Sequence, residues 1–124
     1  MRSDDETKTQ GVGHLDAAPF RALLDRGDPL AVLDVREDHE RDYASIALPD
    51  GVFDLHVPLG LVVERYEEIA RASAGRPLVV YCHHGQRSMV AAAWLARRGV
   101  ADIRNLEGGI DAWSRRVDPS VRRY

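Results

Sequence analysis

Residues 78–88 read LVVYCHHGQRS: a short apolar run of strand type, a compact loop, and the start of a helical pattern. A chain that passes from a buried strand through a Gly-containing loop straight into a helix is building an α/β unit. Such units assemble into domains around a largely parallel sheet. The rest of the chain repeats the alternation. Residues 30–35 (LAVLDV) are nearly continuous in apolar character, as a strand buried on both faces should be. Further strands are expected over 52–57 and 101–106, and a short edge segment closes at His14-Leu15. The pattern predicts a helix over 16–26, with Asp16 as N-cap and Gly27 as the stop, and one or two turns over 37–43. An amphipathic helix is expected over 59–73, another over 88–98 with Ser88 as N-cap and Gly99 as the stop, and a last one over 108–116 that buries Ile110 and Trp113.

At 124 residues the chain can bury a core without disulfides or metal. No internal repeat, low-complexity segment or linker interrupts residues 13–118. One domain is expected over 13–121, preceded by a disordered polar segment at 1–12 and followed by a tail at 122–124. The single cysteine cannot form an internal disulfide, so nothing points to an oxidising compartment. Residues 1–10 lack the apolar stretch of a signal peptide, and no apolar run approaches the roughly 20 residues of a membrane span. A cytoplasmic protein is the expectation. Residues 1–50 carry 6 basic and 12 acidic side chains, whereas residues 51–124 carry 11 and 8, so the half with the cysteine is the positive one. That balance suits a small anion. With a pI near 5.9 and no basic run interleaved with aromatics, it does not point to nucleic acid.

Cys82 stands at the end of its strand, on a loop where backbone N–H groups converge and a helix N-terminus adds partial positive charge. Arg87 adds a full one. Those conditions favour an exposed thiolate nucleophile over the small buried hydrophobe that a free cysteine more often is. Asp34 and Arg36 end the strand at 30–35; in open parallel sheets, ligands bind beyond the carboxyl ends of strands, which brings both near the cysteine loop. Gly108-Gly109 makes a tight strand-to-helix turn. Cys82, His83 and His84 are adjacent residues on a tight loop and cannot easily converge on one tetrahedral ion, so no metal site is expected and no cofactor is implied. The two histidines either add positive charge and tune acceptor specificity or are simply exposed loop residues.

LDVRE at 33–37 with Glu40 behind it, VVYCHHGQRS at 79–88 and NLEGGIDAW at 105–113 occur in the order and at the spacing of the single-domain rhodaneses. The chain resembles that sulfurtransferase family over roughly residues 13–121. The resemblance implies a rhodanese-like α/β domain with a mostly parallel central sheet and helices on both faces. It also implies chemistry: a Cys82 thiolate that takes the outer sulfur of a donor such as thiosulfate, becomes a persulfide, and passes that sulfur to cyanide, a thiol or a protein. The loop His83, His84, Gly85, Gln86, Arg87 and Ser88 would bind the substrate, with Arg87 on the donor's anionic oxygens, and Asp34 and Arg36 would support the loop from beneath. The ending from Trp113 to Tyr124 is similar to rhodanese modules fused to E1-like adenylyltransferases, which hints at sulfur delivery in cofactor or tRNA thiolation. Residues 44–52 depart from the family's Gly-His-Ile-Pro-Gly-Ala, and the stretch to Pro58 is longer, which bears on loop packing beside the site. Two other classes compete. Cys-dependent phosphatases and arsenate reductases place one more residue between cysteine and arginine than Cys82 and Arg87 have between them. Non-catalytic interaction modules of this fold usually lack the cysteine that this chain keeps.

Overall fold

Strands β3 (Ala31–Asp34) and β5 (Leu78–Tyr81) are buried at every position, as their unbroken apolar runs require. In the computed structural model, which describes residues 8–9 and 11–124, they pair in parallel at the centre of a six-stranded sheet. The other strands are β1 (Lys8–Thr9), β2 (Val12–Leu15), β4 (Phe53–His56) and β6 (Ile103–Leu106). Their order is β1-β2-β6-β5-β3-β4, with every pairing parallel except the antiparallel β1–β2 edge. The expected disordered segment 1–12 lies partly outside the described residues, but Lys8–Thr9 and Val12 are strand residues, and β1 rather than β2 forms the edge.

The helices are α1 (Ala17–Arg26), α2 (Asp38–Tyr43), α3 (Tyr66–Ser73), α4 (Gln86–Arg97) and α5 (Gly109–Arg116). Alternate strand residues divide between two cores because side chains along a strand point to opposite faces. Leu33, Val35, Leu78 and Val80 pack with Ile69 of α3 and with Ala91, Ala92 and Leu95 of α4. Val32, Val79, Tyr81 and Leu106 pack with Phe20 of α1 and with Ile110 and Trp113 of α5. Helices therefore cover both faces. Among the described residues, no helix is long and apolar enough to cross a membrane.

Two boundaries differ from expectation. The helix expected over 59–73 is interrupted: Leu59–Leu61 form a single 3-10 turn and α3 begins only at Tyr66. Gly60 and the β-branched pair Val62-Val63 weaken an α-helix there, and Val62 is used instead to fill the core. Helix α4 starts two residues before the expected position, so its N-cap is Gly85 at φ 105°, and Ser88 lies inside the first turn. By contrast, α1 ends at Gly27 in the left-handed conformation, as expected.

Candidate functional site

The site is built where β5 ends and α4 begins. Cys82 is 1% exposed, so the expectation of an exposed thiol is corrected: the loop that follows folds over the sulfur instead of presenting it. The reason lies in the backbone. Gly85 adopts a positive φ that turns the chain back, and its N–H donates to Cys82 Sγ at 3.1 Å. The Ser88 N–H donates to the same sulfur at 3.3 Å from the first turn of α4. Ser88 is correspondingly a wall of the site and not the helix cap: it is fully buried, with Oγ 3.4 Å from Sγ and its hydroxyl donated to Asn105 Oδ1 on β6. Asn105 in turn donates to the Gly85 carbonyl and to Glu107 Oε2, locking the loop against the sheet.

Helix α5 holds the loop from the other side. The N–H groups of Ile110 and Asp111 donate to the carbonyls of Cys82 and His83, at 2.9 and 3.1 Å. That contact explains Gly109, because a Cβ there would collide with those two carbonyl oxygens. The paired glycines thus serve a close approach of backbones as well as a tight turn.

Arg87 is not an open cation on the loop. Its guanidinium meets Glu40 of α2 through two bonds, Nη1–Oε1 at 2.7 Å and Nη2–Oε2 at 2.9 Å. Glu40 belongs to a capping box at the start of α2 and also accepts from the Glu37 N–H and the Tyr124 hydroxyl. The Arg87 hydrogen bonds, helped by those two donors against the cost of burial, hold the Glu40 carboxyl down at about 2. Beneath this pair lies a second, wholly buried one: Arg36 Nε and Nη2 reach the two oxygens of Asp34 at 2.9 and 2.8 Å, with neither side chain exposed. Arg36 also donates to the carbonyls of Glu40 and Ala44 and to the Tyr124 hydroxyl, so its charge survives burial because every direction is answered. Asp34 and Arg36 therefore join the end of β3 to α2, to Ala44 and to Tyr124.

His83 stacks on both His84 and Tyr124, with ring centroids 3.9 and 3.8 Å apart, and its Nε2 is buried without a hydrogen-bond partner. Burial, then the neighbouring His84, pushes the His83 imidazole below its ordinary range. His84 and Gln86 are exposed. Ligating atoms of His83, His84 and Asp111 all lie within 4.8 Å of one another. The Asp111 carboxylate is already paired with Arg115 at 2.9 Å. Sequence reasoning misses three members of the site. Glu40 and Asn105 stand inside motifs that give them no role of their own, and Tyr124 falls in the expected tail; only the unusual placement of an aromatic residue beyond the last helix draws notice to it.

Residues 16–116 match the sequence profile of the rhodanese-like domain. A sulfurtransferase from Allochromatium vinosum is 33% identical over 110 residues, covering 89% of this chain and 95% of that protein. The maize adenylyltransferase and sulfurtransferase MOCS3-2 is 32% identical over 109 residues, covering 85% of this chain; the match spans only 22% of that longer protein. Among solved structures, a rhodanese-related protein from Thermoplasma volcanium superimposes with a TM-score of 0.71 at 29% identity, covering 88% of this chain and 96% of that one.

Proposed function

The chain belongs to the rhodanese-like sulfurtransferase family, and from that premise we propose that it carries sulfane sulfur as a persulfide on Cys82. In the first half-reaction the Cys82 thiolate attacks the outer sulfur of a donor such as thiosulfate. A bond forms between Sγ and that sulfur, the donor's S–S bond breaks, and sulfite leaves with the electron pair. In the second, cyanide, a thiol or a protein thiolate attacks the terminal sulfur, and the Cys82 thiolate is restored. The observation that carries this reading is the pair of backbone N–H groups, from Gly85 and Ser88, both aimed at Sγ from a closed loop. Donors fixed by the backbone stabilise an anionic sulfur without reorganising during reaction.

Arg87 retains N–H groups beyond the two bonded to Glu40, and its side chain is 35% exposed, which suits it to hold the donor's oxygens while Glu40 fixes its direction. The likeness to a module within a longer adenylyltransferase-sulfurtransferase supports a protein as physiological acceptor. Single-turnover assays on Cys82→Ser with thiosulfate and cyanide test the assignment. Loss of all sulfur transfer with an unchanged melting curve is expected, and retained turnover would remove Cys82 from the mechanism.

A further inference from the structure

Tyr124 lies outside the cysteine, LDVRE and NLEGGIDAW motifs, yet it touches three residues of the cysteine site, Arg36, Glu40 and His83. Its hydroxyl accepts from Arg36 Nη1 and donates to Glu40 Oε2, both at 2.9 Å. That single oxygen therefore joins the buried Asp34–Arg36 pair to the Glu40–Arg87 pair. The Tyr124 ring lies almost parallel to His83, 10° between planes, on the residue immediately after Cys82. The segment following α5 is anchored so as to deliver the ring there. The Asp118 N–H donates to the Trp113 carbonyl, the Ser114 hydroxyl to the Val121 carbonyl, Val121 packs on the core beside α5, and the Arg122 guanidinium sits over the Tyr43 ring. Residues 122–124, expected as a tail beyond the domain, thus run back across the carboxyl end of the sheet.

The contact is specific in a way that general burial is not. Tyr124 remains 42% exposed, so its burial contributes less than that of a core aromatic, while its hydroxyl and ring face are both committed. Removing the hydroxyl leaves Arg36 Nη1 and Glu40 Oε2 each short of a partner, and Glu40 Oε2 is the oxygen it shares with Arg87. Removing the ring uncovers His83 to water. We propose that Tyr124 is a positioning residue for sulfur transfer, acting on the donor through Glu40 and Arg87 and on the cysteine loop through His83. The proposal rests on the sulfurtransferase reading above.

Two variants separate its parts. Tyr124→Phe keeps the ring and drops the hydroxyl; Tyr124→Ala drops both. Each is followed by thiosulfate kinetics, by melting temperature, and by NMR titration of the His83 imidazole, which needs no turnover. Groups that face His83 are His84 on the loop, Asp111 of α5, Glu40 of α2 and the Tyr124 backbone. They are present in both variants, so a difference between them reports the ring. For Tyr124→Phe the expected result is a several-fold rise in thiosulfate KM, a smaller change in kcat, and a His83 titration like the wild type. For Tyr124→Ala the same rise in KM is joined by an upward shift of the His83 titration. Wild-type KM and His83 titration in both variants, even with a lowered melting temperature, would reduce Tyr124 to a structural contact and overturn the proposal. Should Tyr124→Ala not fold, the KM of Tyr124→Phe decides alone. Failure of the wild type to transfer sulfur from any donor would instead overturn the sulfurtransferase reading.

Discussion

At the carboxyl end of the sheet Asp34 and Arg36 form an ion pair with neither side chain exposed; at the opposite end Arg26 and Asp28 pair at 3.1 Å with 59% of each exposed. The chemistry of the two pairs is the same and the surroundings are not. Arg36 has five partners around it, from Asp34, Glu40, Ala44 and Tyr124, whereas Arg26 and Asp28 share their contact with water. Removing two charges from water is costly, and the cost is tolerated only where hydrogen bonds replace the lost solvent. The Asp34–Arg36 pair stands at the end of β3, on the side of the sheet where the cysteine loop lies, and the Arg26–Asp28 pair stands in the turn that leads from α1 into β3. The wholly buried pair thus lies at the end of the sheet that carries the candidate site.

Arg36→Ala should break that contrast most severely. It leaves Asp34 buried without its main partner, and a loss of about 3–5 kcal/mol is expected in chemical denaturation. A loss comparable to a surface substitution would show that the buried network is not what holds the carboxyl end together.

Glu40→Gln acts next. It keeps the shape of the side chain and removes the charge that orients Arg87. Thiosulfate KM should rise, and the acid dependence of stability should change with it. Glu40 has a depressed pKa in the fold, so its stabilisation is fully present above the ordinary value near 4.5 and is lost as pH falls toward about 2. Acid-denaturation curves should therefore be shallower for Glu40→Gln in that window. An unchanged curve would mean that Glu40 and Arg87 are not paired in solution. Arg26→Ala sets the lower limit: its pair is exposed, so stability should move by no more than about 0.5 kcal/mol. A larger loss would erase the distinction between the two ends.

The same contrast explains what the sequence could and could not reveal. Strands β3 and β5 were legible because continuous apolar runs report burial on both faces, and α1 because Gly27 punctuates it. The cysteine loop was legible as a strand–loop–helix unit, and Asp34 and Arg36 by their place at a strand end. The pairing of Arg87 with Glu40, 47 residues apart, was not, because an arginine on a loop looks like an open anion site until a distant carboxylate is brought to it. Burial of Cys82 was missed for a related reason. Whether a loop presents a thiol or folds over it depends on Gly85, Asn105 and Gly109 together, and those contacts join three separate elements. The broken helix at 59–73 shows the limit of periodicity: the apolar spacing was right, but Val62 fills the core from a turn.

The proposed sulfur transfer requires above all that Cys82 accept a sulfur atom within its closed loop. Intact-protein mass spectrometry after incubation with thiosulfate measures this directly, followed by a second spectrum after cyanide or dithiothreitol is added. A gain of about 32 Da that maps to Cys82 and disappears with the acceptor is the predicted result. An unchanged mass with thiosulfate, with mercaptopyruvate and with a cysteine-desulfurase donor would contradict it and favour a non-catalytic binding module.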